Sequence, residues 1–504
     1  MRRILFAAFS VPLTLVAFAD PPATETPAVP VLHAETRVVQ IDVVVTDSQG
    51  KPVGDLSKKD FTVTDNGKPR AIDIFSVNRG EPAPLAKLPA SSVSSLPPNV
   101  FSNRKAGPPN VPGHSTVIVL DQLNVAHDPR RTPFETAADA QLQVTSLMSK
   151  VKPDEQIALY VTAKALGLVL LQDYTTDRTL LLTRLKNYIP RGMSTPPETH
   201  PDKPSATPGS PRRDPNAVPG REAEMLAEDA SRDTRLTLQS LAEHLALVPG
   251  RKKVFLVRGP GPPLLMHGMW QKAWDKTVDA LNEANIAVNT WAGELADRTG
   301  GQSWHESYDL DAIMANDIDA SRTTYTLGFY LSGTDRDNKV HALTVQTDRA
   351  GLRLFYRQSY YAGSTELPDS SMEKGDLESA LLNRVDSTGV GITARVDAVP
   401  GTPRGKIDIH LNLDPATLSL KQQGSGWTGK VEEIFLEMNE NGNTLTEVSD
   451  TRAFEVTGAD RVHYDSQGVA WPQSIPLMQG ATKLKIVVRD SKTGHVGSLT
   501  VPLK

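Results

Sequence analysis

The sequence contains no cysteine. That absence excludes disulfides, thiolate metal sites and cysteine nucleophiles, and with them a lipid anchor on a cysteine behind a cleaved leader. There is no surplus of positive charge: 54 Lys and Arg stand against 59 Asp and Glu, a formal net charge of −5 without long blocks of one sign. Nucleic acid is therefore not an expected partner. No window beyond the amino terminus approaches the roughly 20 apolar residues of a spanning helix, so no membrane span is expected. Catalytic signatures are missing too. The 11 histidines include no H-E-x-x-H or other zinc spacing, and His305-Glu306 stands alone. There is no G-x-S-x-G elbow and no G-x-x-x-x-G-K-[ST] phosphate loop. Gly259-Pro260-Gly261 follows a strand, but Pro260, Pro262 and Pro263 lack the backbone donors of a phosphate cradle. The recognisable enzyme classes are thereby set aside, and no cofactor is expected.

What is present begins at the amino terminus. Arg2 and Arg3 precede an apolar stretch from Ile4 to Phe18, which ends in Ala17-Phe18-Ala19 before Asp20. This is the pattern of a secretory signal with a small-x-small cleavage site, predicting removal of residues 1–19 and export to the periplasm or beyond the cell.

The most informative stretch is TVIVLDQLNV, Thr116 to Val125. A continuous β-branched and aliphatic run without alternation predicts a strand buried on both faces of a mostly parallel sheet. Asp121 closes the run where open α/β sheets place ligand-facing residues, or else it caps the following segment. Strands and helices alternate from there. A helix is predicted over Phe134 to Val151, strands over Ile157 to Thr162 and Gly167 to Leu171, and a helix over Asp177 to Tyr188. A long helix from Arg221 to Val248 stops at Pro249-Gly250, and Lys253 to Val257 is the next buried strand. Trp270, Ala273, Trp274, Thr277, Val278 and Leu281 recur at helical spacing, so the tryptophans read as packing residues. A strand at Ile286 to Trp291, a short helix at Leu310 to Ala320, and strands at Tyr325 to Leu331, His341 to Thr347 and Leu352 to Tyr356 complete an α/β region with antiparallel pairing at its end.

Composition divides the rest. Residues 36–80 alternate apolar and polar positions (Val39, Ile41, Val43, Val45) around turns at Asp47-Ser48-Gln49-Gly50 and Asp65-Asn66-Gly67, predicting a small β-module. Residues 81–112 form a Pro/Ser-rich linker, and residues 190–220 a Pro-rich insertion; neither holds the apolar surface that would offset the entropy of ordering it. Asp335, Asp337 and Asn338 resemble the start of a calcium loop, but without the downstream Gly and Glu they read as a hairpin turn. Residues 363–400 read as a linker with a short helix at Leu377 to Val385. Over 401–504, alternating strands around Ile407, Ile434, Leu484 and Leu499 predict an antiparallel β-sandwich, immunoglobulin- or fibronectin-like in architecture.

The ordered motifs VVVTDSQGKPVGDLSKKDFTVTDNGKP, VIVLDQLN, QIALYVTAKALGLVLLQDYTTD, LALVPGRKKVFLVRGP, LADRTGG, YTLGFYLSG and LRLFYRQSYYA resemble the secreted bacterial proteins called von Willebrand factor A related. The resemblance covers roughly Thr36 to Ala362. It implies a doubly wound, Rossmann-like von Willebrand A domain over 113–362, preceded by a small β-module. Domains of this type bind Mg²⁺ or Mn²⁺ through D-x-S-x-S after the first strand, a threonine in a later loop, and an aspartate after the fourth strand. Asp121 matches the first aspartate. Leu123 and Val125 occupy the serine positions without an oxygen to offer, and Arg258-Gly259 stands where the second carboxylate would follow Val254 to Val257. Thr195 falls in a loop corresponding to the threonine, and Gln122 and Asn124 are the remaining oxygen donors. The resemblance thus implies a degenerate metal site, with Asp121, Gln122, Asn124, Arg258 and Gly259 as binding-rim candidates. If a metal were held, Asp121, Asn124 and Thr195 would hold it. Arg130, Arg131 and Arg258 read either as an anion patch or as solvated loop charges.

These readings predict a secreted, non-catalytic protein-interaction or assembly protein with a protein partner. The competing expectation is a divalent-metal-dependent adhesion protein using an irregular site around Asp121.

Overall fold

The computed structural model describes residues 37–79, 96–104, 114–121, 133–163, 167–188, 219–257, 264–291, 293–304, 310–331, 335, 337, 339–362, 377, 380–381, 383–399, 401, 405–424 and 426–503. The expected leader therefore lies outside them. The chain is mixed α/β. It opens with strands β1 (Arg37–Thr46), β2 (Phe61–Asp65), β3 (Lys68–Arg70) and β4 (Ile74–Asn78), followed by the short β5 (Val100–Ser102). Turn chemistry sets the first connections. Asp47 accepts from the backbone N–H of Gln49 at 2.8 Å and of Lys51 at 2.9 Å. Asn66 and Gly67, both at positive φ, make the two-residue hairpin loop that joins β2 to β3.

The α/β region then runs β6 (His114–Asp121), α1 (Pro133–Lys150), β7 (Ile157–Ala163), β8 (Gly167–Thr175), α2 (Arg178–Asn187), α3 (Pro219–Leu245), β9 (Arg251–Val257), α4 (Gln271–Glu283), β10 (Ile286–Asn289), α5 (Gly293–Thr299) and α6 (Leu310–Ala320). Its five-stranded sheet has the order β10-β9-β6-β7-β8. All neighbours are parallel except β8, which runs antiparallel to β7. Both faces are covered. Val117 and Val119 of β6 join a core with Leu238, Leu241, Trp274, Val278 and Leu281 of α3 and α4. Ile118 and Leu120 join the opposite core with Val144, Leu147, Leu181, Leu185 and Met314 of α1, α2 and α6. This is why the β6 sequence is apolar without alternation. Trp274 is fully buried, and its indole N–H donates to Ser231 at 3.2 Å, as expected of a packing residue.

Four strands follow: β11 (Thr324–Leu331), β12 (Val340–Thr347), β13 (Arg353–Phe355) and β14 (Ser359–Tyr361). The sequence places the first three at the antiparallel end of the α/β sheet; the structure pairs all four elsewhere. They make two four-stranded sheets with the amino-terminal strands, in the orders β13-β1-β11-β4 and β14-β12-β2-β3. Residues 36–80 are thus not self-contained. β1 turns Val39, Ile41, Val43 and Val45 into a core completed by Tyr325, Leu327, Phe329, Leu343 and Val345. β2 to β4 are too short to cover that face alone.

The remaining elements are β15 (Ile392–Val399), β16 (Lys406–Leu413), β17 (Lys421–Gln423), β18 (Gly426–Met438), β19 (Thr444–Val456), α7 (Arg461–Gln467), β20 (Val469–Pro476), β21 (Lys483–Asp490) and β22 (Val496–Pro502). Two antiparallel sheets share one core of Ile392, Ile407, Ile409, Leu411, Val431, Phe435, Leu484, Ile486 and Val501. Two segments read as linkers are structural in part. β5, inside 81–112, pairs with β15. The amide of Asn103 donates to Ser387 O and Val390 O, both at 2.8 Å, while its Oδ1 accepts from Ile392 N at 2.7 Å. β15 itself lies within 363–400, and Asn383, Ser387 and Thr388 just before it are buried. Side chain and backbone pin the segment together: Asn383 donates to Ser240 and accepts from Leu168 N, the Thr388 hydroxyl donates to Glu243 O, and the Ser387 backbone N–H donates to Ser498. A polar composition read as linker is here a hydrogen-bonded bracket. Among the described residues no helix is long and apolar enough to cross a membrane.

Candidate functional site

The chain leaves β6 toward β7 on one side and later returns to β9 on the other. The strand order therefore reverses between β6 and β9, and the carboxyl ends of these strands border the crevice where open α/β sheets bind ligands. Asp121 is the last residue of β6 and is 2% exposed. It lies opposite Thr162 of β7, whose hydroxyl donates to its Oδ1 at 3.0 Å. The carboxylate is thus buried at the rim and held by its neighbour strand. Gln122, Asn124, Thr195, Arg258 and Gly259 lie outside the described residues, as do Arg130 and Arg131.

Among the described residues, the oxygens that meet at this rim are those of Asp121 and Thr162. Mg²⁺ takes six oxygens in near-ideal octahedral geometry, and the two positions after Asp121 in the D-x-S-x-S spacing are Leu123 and Val125. Asp121 with its hydroxyl donor can accept hydrogen bonds at the rim. By itself it does not assemble a cation's shell.

At the opposite end of the sheet lies a polar cavity of about 270 Å³ between β1 and the amino-terminal ends of β9 and β10, lined among others by Gln40, Asp42, Arg251, Asn282, Asn285 and Arg357. Asp42 accepts three hydrogen bonds: from Asn285 at 2.7 Å, Thr326 at 2.7 Å and Gln40 at 3.2 Å. Arg251 opens a run of three buried cations, Arg251-Lys252-Lys253. Its guanidinium donates to Asp42 O and Gly300 O, both at 2.7 Å, tying β9 to β1. Lys252 donates to Val248 O at 2.6 Å, and burial pushes its pKa down to about 8. Lys253 meets Asp317 of α6 at 2.5 Å, and burial lowers its pKa as well. Three charges thus enter the interior only by meeting carbonyls or a carboxylate. Close approach completes the joint, since a Cβ on Gly300, at φ +75°, would fall 2.6 Å from the backbone of Tyr356 and Arg357.

A third polar centre joins β2, β3, β12 and β14. His341 Nδ1 lies 2.7 Å from Asp65 Oδ1, and its Nε2 lies 3.1 Å from Asp337. The Tyr360 hydroxyl donates to Asp65 Oδ2 at 3.1 Å, and Arg70 spans Asp65 at 2.7 Å and Asp335 at 2.8 Å. Burial and the adjacent Asp65 push the Tyr360 phenol well above its usual range. Asp335 and Asp337 are thus engaged by a guanidinium and an imidazole. No sequence spacing announces this cluster, because Asp65 and His341 are 276 residues apart. Nor does the sequence mark the buried Arg251-Lys252-Lys253 run, since Lys and Arg are seldom fully buried without partners.

No protein-family model matches the chain, and no curated protein matches it. Among solved structures, a von Willebrand factor type A protein from Catenulispora acidiphila aligns over 86% of this chain and 74% of its own length, at 8% identity and a TM-score of 0.19. A score that low carries no argument about fold.

Proposed function

We propose that the chain is an exported, non-catalytic protein-interaction or assembly protein whose α/β region is a degenerate von Willebrand A-like domain. The observation that carries this reading is Asp121, buried at the carboxyl end of the central strand β6 where the strand order reverses, in hydrogen-bond contact with Thr162. The strand order and the helices on both faces support the doubly wound class. The motifs quoted above support the A-like type, and the Arg2-Arg3 leader pattern supports export. Leu123 and Val125 support a rim that binds its protein partner through hydrogen bonds and side-chain packing without a bridging cation.

Calorimetric titration of the full chain with Mg²⁺, Mn²⁺ and Ca²⁺, beside Asp121→Ala, tests this. Equal heats in both proteins are expected. Binding that vanishes in Asp121→Ala overturns the reading in favour of a metal-dependent adhesion protein.

A further inference from the structure

The carboxy-terminal sheets have five strand edges, and four of them are protected against pairing with another chain. β5 and β17 are three residues long. β20 carries Pro472 and Pro476, which have no N–H to offer. β22 is covered by the 383–390 bracket, with a bridge between Thr388 and Gly497 and a hydrogen bond from Ser498 N to Ser387 O at 2.9 Å. The fifth edge differs. β19 spans 13 residues without proline or glycine, and among the described residues it pairs with β18 alone. Long open edges of this kind are what natural sheets ordinarily avoid.

The sequence of β19 is also self-complementary. Register with β18 places Thr446, Val448, Asp450, Arg452, Phe454 and Val456 on the face that turns toward the core. In a pair of antiparallel β19 strands related by a two-fold axis, directly opposite residues lie on the same face and sum to a fixed number. An axis at Thr451 sets Asp450 opposite Arg452 twice, Val448 opposite Phe454 twice, and Thr446 opposite Val456. Opposite charges and aromatic against β-branched side chains are the favourable cross-strand pairs. Moving the axis to Asp450 or to Arg452 sets like charges face to face. Asp450 and Arg452 keep 47% and 31% of their side chains exposed and pair within one chain at 3.4 Å; Arg452 also donates to Gln473 Oε1 at 3.1 Å and lies over the Trp471 ring, contacts that leave its remaining N–H groups to face a carboxylate across the axis. The axis at Thr451 also sets Glu447 opposite Glu455 on the outer face, but both are exposed and screened by solvent.

We propose that β19 pairs with β19 of a second copy of this chain about an axis at Thr451, so that one sheet runs continuously through both copies. The surface is independent of the Asp121 rim and of the function proposed for it.

Sedimentation of the full chain over a range of concentrations tests the proposal. A reversible dimer is expected. Asp450→Arg alone and Arg452→Asp alone each set like charges across the axis, raising the dimer dissociation constant by roughly tenfold or more. The double variant Asp450→Arg/Arg452→Asp restores the dimer, and an equimolar mixture of the two single variants forms a heterodimer. Circular dichroism checks folding, and if a single variant misfolds the double variant still decides. A native chain that stays monomeric overturns the proposal, and so does a dimer indifferent to both reversals or one that the double variant fails to restore.

Discussion

The two paired-sheet assemblies of this chain bury carboxylates in different company. Where β1 to β4 meet β11 to β14, Asp65 is 1% exposed and receives Arg70, His341 and Tyr360. In the carboxy-terminal pair, Glu433 and Glu437 are fully buried on β18. Glu433 has a long contact of 3.8 Å to Arg452, and Glu437 accepts from Met478 N at 2.8 Å. Burial pushes the Glu433 carboxyl up to about 7, with Arg452 and the Trp471 indole offsetting only part of it. Burial raises Glu437 too. A buried charge with a full set of partners locks chain segments together, whereas one with few partners holds its proton to higher pH.

Asp65 carries the first assembly's charged cluster, since Arg70, His341 and Tyr360 all meet it. Asp65→Ala leaves Arg70 without one of its two carboxylates and His341 and Tyr360 without their shared acceptor. We expect a loss of about 3–5 kcal/mol in denaturant unfolding; a loss below about 1 kcal/mol would mean that the cluster does not hold the sheets together.

Glu433 sharpens the other side. A carboxyl whose folded pKa is raised from its usual value near 4.5 to about 7 binds more protons folded than unfolded between those values. Stability is then fully present below about pH 4.5, falls as pH rises toward 7, and stays reduced above. Glu433→Gln cannot ionise. It should match the native chain at pH 4 and exceed it by about 3 kcal/mol at pH 8, read from unfolding at both pH values. A variant less stable at pH 8 would show that the ionised carboxylate is satisfied after all.

The smallest effect belongs to a surface pair. Arg349 and Asp55 meet at 2.8 Å, but their side chains are 50% and 69% exposed. Arg349→Ala should change stability by no more than about 0.5 kcal/mol at moderate salt. A larger loss would place that pair with the Asp65 cluster instead of at the solvated surface.

Much of this was legible from local pattern. The unbroken apolar run of β6 marked a strand covered on both faces. The turn residues at 47–50 and 66–67 marked the hairpins, and Pro249-Gly250 marked the end of α3. Asp121 stood out because a carboxylate follows an apolar strand. Its contact with Thr162 was not legible, since it depends on which strand lies beside β6. Nor was the company of Arg251-Lys252-Lys253, whose partners Asp42, Gly300, Val248 and Asp317 mostly lie far along the chain.

Local pattern located most strands, helices and turns, because those choices depend on side chains a few residues apart, but it missed β5 and β14, three-residue strands that exist only through their partners. Which strands pair over long range is a matter of packing: β11 to β14 complete the amino-terminal sheets, β5 reaches β15, and Asp65 meets His341. The entropy of closing a loop grows only slowly with its length. Near and distant strands therefore compete for the same edge on almost equal terms, and the winner is the pairing that buries the most apolar face while leaving each buried charge a partner.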